Sequence, residues 1–206
     1  MILEKFYVQC LRRILNVNES TCTYMIMGET GCMPLSVDIL NRALCFYINT
    51  QYKHGNNSLA TKMLNSLIAT YNNSINESRY LSFISQNLNS IGHTYLFNGV
   101  IPYGRSLAQT INQVKRSIKD QALQKWYSDL DNSSKAIFYR TFKSQPKFEP
   151  YLDILPTKDR IKVTKFRVSN HRLPIETGRW HGIPITNRTC PKCQTNALGD
   201  EFHYLF

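Results

Sequence analysis

Apolar side chains recur at helical spacing along most of this 206-residue chain, and this spacing limits the possible folds most strictly. In LEKFYVQCLRRILN they fall at i, i+3, i+4 and i+7, while Arg12 and Arg13 lie on the other side. The same spacing returns in PLSVDILNRALCFYINTQ and in SLAQTINQVKRSIKDQALQKWYSDL. The sequence therefore predicts an all-α fold in which a helical bundle buries these stripes.

Residues typical of helix ends set the predicted boundaries. Ser20 or Thr21 can cap a second helix that Gly31 ends, and Pro34 suits the first position of a third helix, which HGNNS ends. Ser58 then caps a fourth helix. Its predicted inward residues are Leu59, Met63, Leu64, Leu67 and Ile68. Three later stretches also favour helices: ESRYLSFISQNLNSIG, SSKAIFYRTFK with a cap at Ser133 or Ser134, and KDRIKVTKFRVSNHRL.

Three prolines in SQPKFEPYLDILP interrupt the helical pattern between Gln145 and Pro156. The chain becomes rich in loop residues after Pro174. We therefore predict a helical region over residues 1–145 and a short, irregular, basic C-terminal module over residues 146–206.

The excess of positive charge is concentrated in this second region. The chain has 25 Lys and Arg against 14 Asp and Glu, a net charge of +11. Residues 143–192 hold 11 basic and 4 acidic side chains, which gives +7 of that total. Such a balance favours a polyanionic partner, RNA or DNA before an anionic membrane. A solvated basic surface without a partner is the alternative.

The cysteines and the N-terminus indicate a reducing compartment. Four of the six cysteines (Cys10, Cys22, Cys32, Cys45) occupy apolar positions of predicted helices, where a free thiol acts as a small hydrophobic group. The N-terminal MILEKFYVQC places charges inside its apolar stretch, unlike a signal peptide. We expect an intracellular protein, nuclear or cytoplasmic, that is not secreted and has no membrane partner.

Cys190-Pro-Lys-Cys193 supplies two thiolates from one tight turn, which is a common half-site for tetrahedral zinc. His203 follows after nine residues that include Gly199, a residue suited to a chain reversal. The alternatives are a redox pair, which requires a βαβ setting, and a chance pair. Structural zinc takes four ligands, so Cys190, Cys193 and His203 predict at most weak Zn²⁺ binding, completed by water, His181 or a second chain.

The stretch FRVSNHRLPIETGRW combines arginines with aromatic residues at both ends. Arginine binds phosphate in a bidentate manner, and aromatic faces stack on unpaired bases. The alternative is a structural turn in which Glu176 pairs with an arginine and Phe166 packs inward. The candidate nucleic-acid contacts are Arg167, Arg172, Arg179, Trp180 and Lys192.

No catalytic group is indicated. Asp129 and Asp131 in WYSDLDNSS are interpreted as a helix end followed by a capping turn, because two-metal sites need carboxylates from several elements. No glycine-rich phosphate loop and no serine or cysteine triad is evident, and no small-molecule substrate is implied.

Three segments resemble a known family. TKFRVSNHRLPIETGRW and NRTCPKCQTNALGDEFHYLF are similar to the tail that follows the polymerase domain in non-LTR (LINE-type) retrotransposon reverse transcriptases. The front, LEKFYVQCLRRILNVNESTCTYMIMGETGCMPL, resembles the helical segment after the polymerase palm of these proteins. The resemblance thus extends over nearly the whole chain and is more specific in its C-terminal part.

The resemblance implies a non-catalytic, nucleic-acid-binding fragment of an RNA-directed DNA polymerase polyprotein. It implies a CCHC-type zinc knuckle in which Cys190, Cys193 and His203 match three ligands, with a fourth cysteine expected beyond Phe206. The paired aspartates of the family's palm have no counterpart here, so we expect no enzyme activity. A helical structural or interaction protein, or a retroelement remnant without selected function, is the alternative.

Overall fold

The computed structural model describes residues 2–52, 58–73, 78–193 and 195–206, and helices dominate them. No strand occurs within these ranges, where β-pairing is limited to isolated bridges, so the all-α prediction is confirmed. The helices are α1 Ile2–Leu15, α2 Thr23–Thr30, α3 Leu35–Tyr52, α4 Leu59–Asn73, α5 Arg79–Ser90, α6 Leu107–Asp131, α7 Tyr151–Ile154, α8 Thr157–Arg167, α9 Pro174–Trp180 and α10 Glu201–Leu205. Short 3-10 turns occupy Thr94–Leu96, Ser134–Ala136, Tyr139–Thr141 and Ile185–Asn187.

The chain forms two compact units. Met1–Met33 and Lys125–Phe206 together form one, here called the composite unit, and Pro34–Gln124 forms the other, here called the central unit. The sequence-based division at residue 145 instead falls inside the composite unit. Composition marks a change there, but contacts of the first helices with the C-terminal segments decide which residues pack together.

The central unit is organised by α3, α5 and the first part of α6. Their apolar faces meet in one core, in which the Tyr47 hydroxyl also donates to the carbonyl oxygen of Phe97 at 3.2 Å. The fully buried members of this core include Leu44, Tyr47, Ile48, Leu81, Ile84, Leu88, Leu96 and Val114. Helical spacing of apolar residues predicted α3, α5 and α6, and these helices supply most of this core.

The inward face of α4 differs from the prediction. Leu59, Met63 and Leu67 are exposed, whereas Leu64 is buried and Ile68 is partly buried. The third inward position belongs to Thr61, which is 2% exposed and donates its hydroxyl to the carbonyl oxygen of Thr50 at 3.1 Å. The buried face of α4 therefore includes Thr61, whose hydroxyl is hydrogen-bonded. The spacing of apolar residues could not indicate a buried polar residue.

Only some of the observed helix starts agree with the predicted caps. The Ser58 hydroxyl accepts from the Thr61 amide at 3.1 Å and α3 starts one residue after Pro34. Cys22, rather than Ser20 or Thr21, occupies the cap position of α2, and the Thr21 hydroxyl accepts from the side-chain amide of Asn170 at 2.7 Å. The stretch HGNNS, predicted to end α3, lies outside the described residues apart from Ser58.

The predicted helix in SSKAIFYRTFK is wrong. Two separate 3-10 turns occupy this stretch, and the Ser133 hydroxyl accepts from the Lys135 amide at 3.2 Å. This arrangement turns the fully buried Tyr139 toward α2, where its hydroxyl donates to the carbonyl oxygen of Met25 at 3.2 Å. Tertiary packing of one aromatic side chain therefore overrides the local helical preference.

The composite unit is held together by contacts between its two chain segments. Val8, Leu11 and Leu15 of α1 pack with Leu152, and Trp126 donates its indole N–H to the Tyr24 carbonyl at 2.8 Å. Both segments thus supply apolar side chains to the two core clusters of this unit.

A fully buried carboxylate, Glu29, lies at the centre of this unit. It accepts hydrogen bonds from Tyr139 at 2.9 Å, Tyr151 at 2.6 Å and the Arg167 Nε at 2.8 Å. The Arg167 Nη2 also lies 2.8 Å from Glu149. We call these five residues the Glu29 network. Every polar group in it has a charged or hydroxyl partner, which makes burial of the charges tolerable.

Gly31 ends α2 where the chain passes close to a second segment. Its φ is 67°, and a Cβ added there would run into the backbone nitrogen of Phe148. Gly182 has the same φ of 67° but open space at its Cβ position. We expect Gly31→Ala to lower the free energy of unfolding by about 1–3 kcal/mol more than Gly182→Ala, because only the first adds a backbone clash. Urea denaturation followed by tryptophan fluorescence measures both, and equal losses would contradict this account.

Candidate metal centre and basic surface

A small hairpin carries the two C-terminal cysteines. Thr189 and Leu198 form an antiparallel bridge, and the Cys190 amide donates to the Ala197 carbonyl at 2.9 Å. These contacts join the chain before Cys193 to the chain after it. The Sγ atoms of Cys190 and Cys193 lie within 4.8 Å of each other.

The helix that follows the hairpin brings the histidine back to the cysteines. The Asp200 side chain caps α10 by accepting from the backbone amide of His203 at 2.9 Å, so the helix begins about one turn before His203. The His203 Nε2 lies 3.2 Å from the Cys193 Sγ. The Cys190 Sγ, Cys193 Sγ and a ring nitrogen of His203 lie within 4.8 Å of one another, a group that could hold a metal ion. The predicted convergence of these three side chains is confirmed.

The Cys190 thiol is 6% exposed and has several hydrogen-bond partners. The Tyr204 hydroxyl lies 3.5 Å from its Sγ, and the Lys192 amide donates to it at 3.4 Å. These partners, Tyr204 foremost, lower the pKa of the Cys190 thiol to about 6, so the thiolate is accessible near neutral pH. The same contact with Cys190 raises the pKa of Tyr204 and keeps its phenol protonated.

Helix α10, which carries His203, is anchored in the helical body. Glu201 of α10 is 5% exposed and accepts from the Ser169 hydroxyl at 3.0 Å and the His171 Nε2 at 2.8 Å. Burial opposes ionisation of Glu201, but hydrogen bonds led by that from His171 lower its pKa on balance. The ring of Phe202 packs edge-on against the ring of Phe138, with 5.4 Å between the ring centroids. Side-chain contacts that do not involve the cysteine–histidine group therefore attach α10 to the helical body.

Arg188 also has a structural role that the sequence did not indicate. Its Nε donates to the Ile183 carbonyl at 2.8 Å and its Nη1 to the Ile175 carbonyl at 3.0 Å. The side chain passes directly over Gly178, leaving no room for a Cβ there. A glycine in the middle of α9 was the available signal for such a close approach.

Arg167, a predicted phosphate contact, has a different place in the structure. Its guanidinium binds Glu29 and Glu149 and lies 4.3 Å above the Phe142 ring. The guanidinium N–H donors that would bind phosphate already bind two carboxylates. Arg167 is therefore not among the proposed phosphate contacts. Its partner Glu29 is 138 residues away in sequence, which local reasoning could not foresee.

The remaining candidates divide between paired and exposed residues. Arg179 lies 3.3 Å from the Oε1 of Glu176, a buried carboxyl whose pKa is raised by burial. Arg172, Trp180 and Lys192 are exposed, with Trp180 at 52%. The structural alternative is thus correct for the Glu176 pair. It is also correct for Phe166, whose ring contacts Phe138 at 5.5 Å.

Two other sequence interpretations have clear outcomes. Asp129 and Asp131 lie at the end of α6, where Asp129 pairs with Lys125 at 3.2 Å, so the helix-end interpretation is confirmed. His181, considered as a fourth ligand, is exposed and does not belong to the cysteine–histidine group.

No family model, curated protein or solved structure matches this chain. Across the described residues, helices of membrane-spanning length and apolarity are lacking.

Proposed function

We propose that this chain is a non-catalytic nucleic-acid-binding portion of a non-LTR retrotransposon reverse transcriptase, with a zinc centre in its C-terminal module. The observation that carries the proposal is the position of exposed basic and aromatic side chains in the same short segment as the cysteine–histidine group. Arg172, Trp180 and Lys192 are exposed there, close in sequence to Cys190, Cys193 and His203.

The charge distribution supports a polyanionic partner. Several basic residues of the segment 143–192 are used internally, including Lys143 with Glu149 and Arg167 with Glu29. Others (Lys147, Lys158, Arg172, Lys192) are exposed. Arg172 and Lys192 would contact phosphate oxygens, Arg179 would add a weaker contact beside Glu176, and Trp180 would stack on an unpaired base.

The ligand chemistry supports zinc. Two thiolates and one imidazole match the soft and borderline donors that Zn²⁺ prefers over Mg²⁺ or Ca²⁺. A bound zinc ion would act structurally, by joining the hairpin to α10. Three protein ligands leave a fourth position for water or an outside group, so we expect weaker binding than in four-ligand sites.

Salt dependence tests the nucleic-acid proposal. Binding of the full chain to single-stranded RNA and to duplex DNA should weaken steeply with salt, because each phosphate contact releases counterions. The double variant Arg172→Ala/Lys192→Ala should reduce the magnitude of the log–log slope by about 1.4 to 1.8, at about 0.7 to 0.9 per contact. Fluorescence anisotropy across a salt series measures this slope.

A matched control comes from α6. Arg116 and Lys119 are exposed, and Arg116→Ala/Lys119→Ala removes the same charge from the central unit. It should change the slope less than the C-terminal pair. Equal slopes for the two double variants would show that only overall charge matters, and no retention on RNA or DNA at low salt would favour the helical interaction protein instead.

A further inference from the structure

Two consecutive residues of helix α10, His203 and Tyr204, contact the two cysteines of the hairpin. The His203 Nε2 lies 3.2 Å from the Cys193 Sγ, and the Tyr204 hydroxyl lies 3.5 Å from the Cys190 Sγ. Neighbouring helical residues point about 100° apart, so one helix end can reach two sulfurs at once. The two cysteines thus have different partners on α10, an imidazole for one and a phenol for the other.

The sulfur of Cys190 is the more enclosed of the two. Cys190 is 6% exposed, and its Sγ accepts from the Lys192 amide at 3.4 Å. A buried thiolate needs hydrogen-bond donors to replace water. As a thiol, Cys190 donates its S–H to the Tyr204 hydroxyl at 3.5 Å. A thiolate has no proton to donate, so at the same distance the Tyr204 hydroxyl would become the donor. Helix α10 is fixed in place by Glu201 and its partners Ser169 and His171.

We propose that Tyr204 is a positioning residue of the metal centre, whose hydroxyl donates a hydrogen bond to the metal-bound Cys190 thiolate without itself binding the ion. This inference rests on the proposed metal centre. Groups that hydrogen-bond to metal ligands fix the orientation of those ligands and strengthen metal binding, although they do not touch the metal themselves. The role is specific to the hydroxyl, because phenylalanine would keep the ring and lose only the donor.

Zinc affinity of the full chain tests this role. Competition with a fluorescent chelator gives the Kd for the wild type, for Tyr204→Phe and for the control Tyr103→Phe, which removes a hydroxyl from an exposed tyrosine of the central unit. Tyr204→Phe should raise the Kd about 10- to 100-fold, whereas Tyr103→Phe should leave it unchanged. Far-UV circular dichroism verifies that both variants keep their helices.

A measurement on the wild type keeps the test independent of variant folding. Zinc titration should produce no absorption band of tyrosinate, because Tyr204 stays protonated while it donates. A tyrosinate band on zinc binding would overturn the proposal by making Tyr204 a ligand. Equal Kd values for wild type and Tyr204→Phe would also overturn it while leaving the metal centre intact. A wild-type chain that binds no zinc would refute the metal centre itself, and this role with it.

Discussion

Replacing Arg167 with leucine should lower the free energy of unfolding of the composite unit by about 3–5 kcal/mol. The substitution leaves Glu29 fully buried without the guanidinium that now binds it at 2.8 Å. It also removes one of the two cationic partners of Glu149, the Arg167 Nη2 at 2.8 Å, and leaves Lys143. Urea denaturation followed by tryptophan fluorescence measures the loss, because both tryptophans, Trp126 and Trp180, belong to this unit.

The control for this prediction is the same substitution five residues later. Arg172 is exposed, so Arg172→Leu should change the unfolding free energy by no more than about 0.5 kcal/mol. The double variant Glu29→Gln/Arg167→Leu should lose less than the sum of its single variants, since no unpaired carboxylate then remains buried. If Arg167→Leu and Arg172→Leu unfolded at the same urea concentration, Arg167 would not be the counterion that stabilises Glu29.

Together these variants also separate folding from binding. Arg167→Leu should impair nucleic-acid binding only as far as it unfolds the composite unit. A leucine at Arg172 should leave stability intact and weaken binding, because we propose that Arg172 contacts phosphate. Binding measured without urea, at a temperature well below the Tm of each variant, distinguishes the two effects.

Loss of one cysteine of the proposed metal centre should abolish zinc binding. Cys190→Ser removes one of three protein ligands, so the variant should bind no zinc at free-zinc concentrations that load the wild type. For the wild type, zinc at about 100 times its Kd should raise the unfolding free energy by about 2.7 kcal/mol, whereas Cys190→Ser should gain nothing. Metal analysis after equilibrium dialysis and thermal denaturation with and without zinc measure the two effects.

Cys45→Ser provides the matched control, because Cys45 is a half-buried free cysteine of the central unit. This variant should retain zinc as the wild type does. Equal zinc content in Cys190→Ser and Cys45→Ser would contradict a metal centre at Cys190, Cys193 and His203. Release of zinc should leave most helical signal intact, because Glu201 and Phe202 anchor α10 without the metal.

The sequence predicted the features that depend on neighbours along the chain. Helical spacing located α1, α3, α5 and α6, because a face of apolar residues must be buried whatever it packs against. The spacing of Cys190, Cys193 and His203 predicted their convergence, because a tight turn and a short return fix the distances within one loop. Even so, the inward face of α4 was missed, since Thr61 is buried through a hydrogen bond that apolar spacing does not register.

By itself, the sequence determined the all-α class, most helix positions and the convergence of Cys190, Cys193 and His203, because each follows from local periodicity or short spacing. Tertiary structure alone decided how the basic side chains are used. Arg167 is neutralised by Glu29 and Arg188 is bound to backbone carbonyls, while Arg172 stays exposed. The physical reason is that a charge is available to a partner only if folding brings no closer counterion, and Glu29 lies 138 residues from Arg167 in the chain.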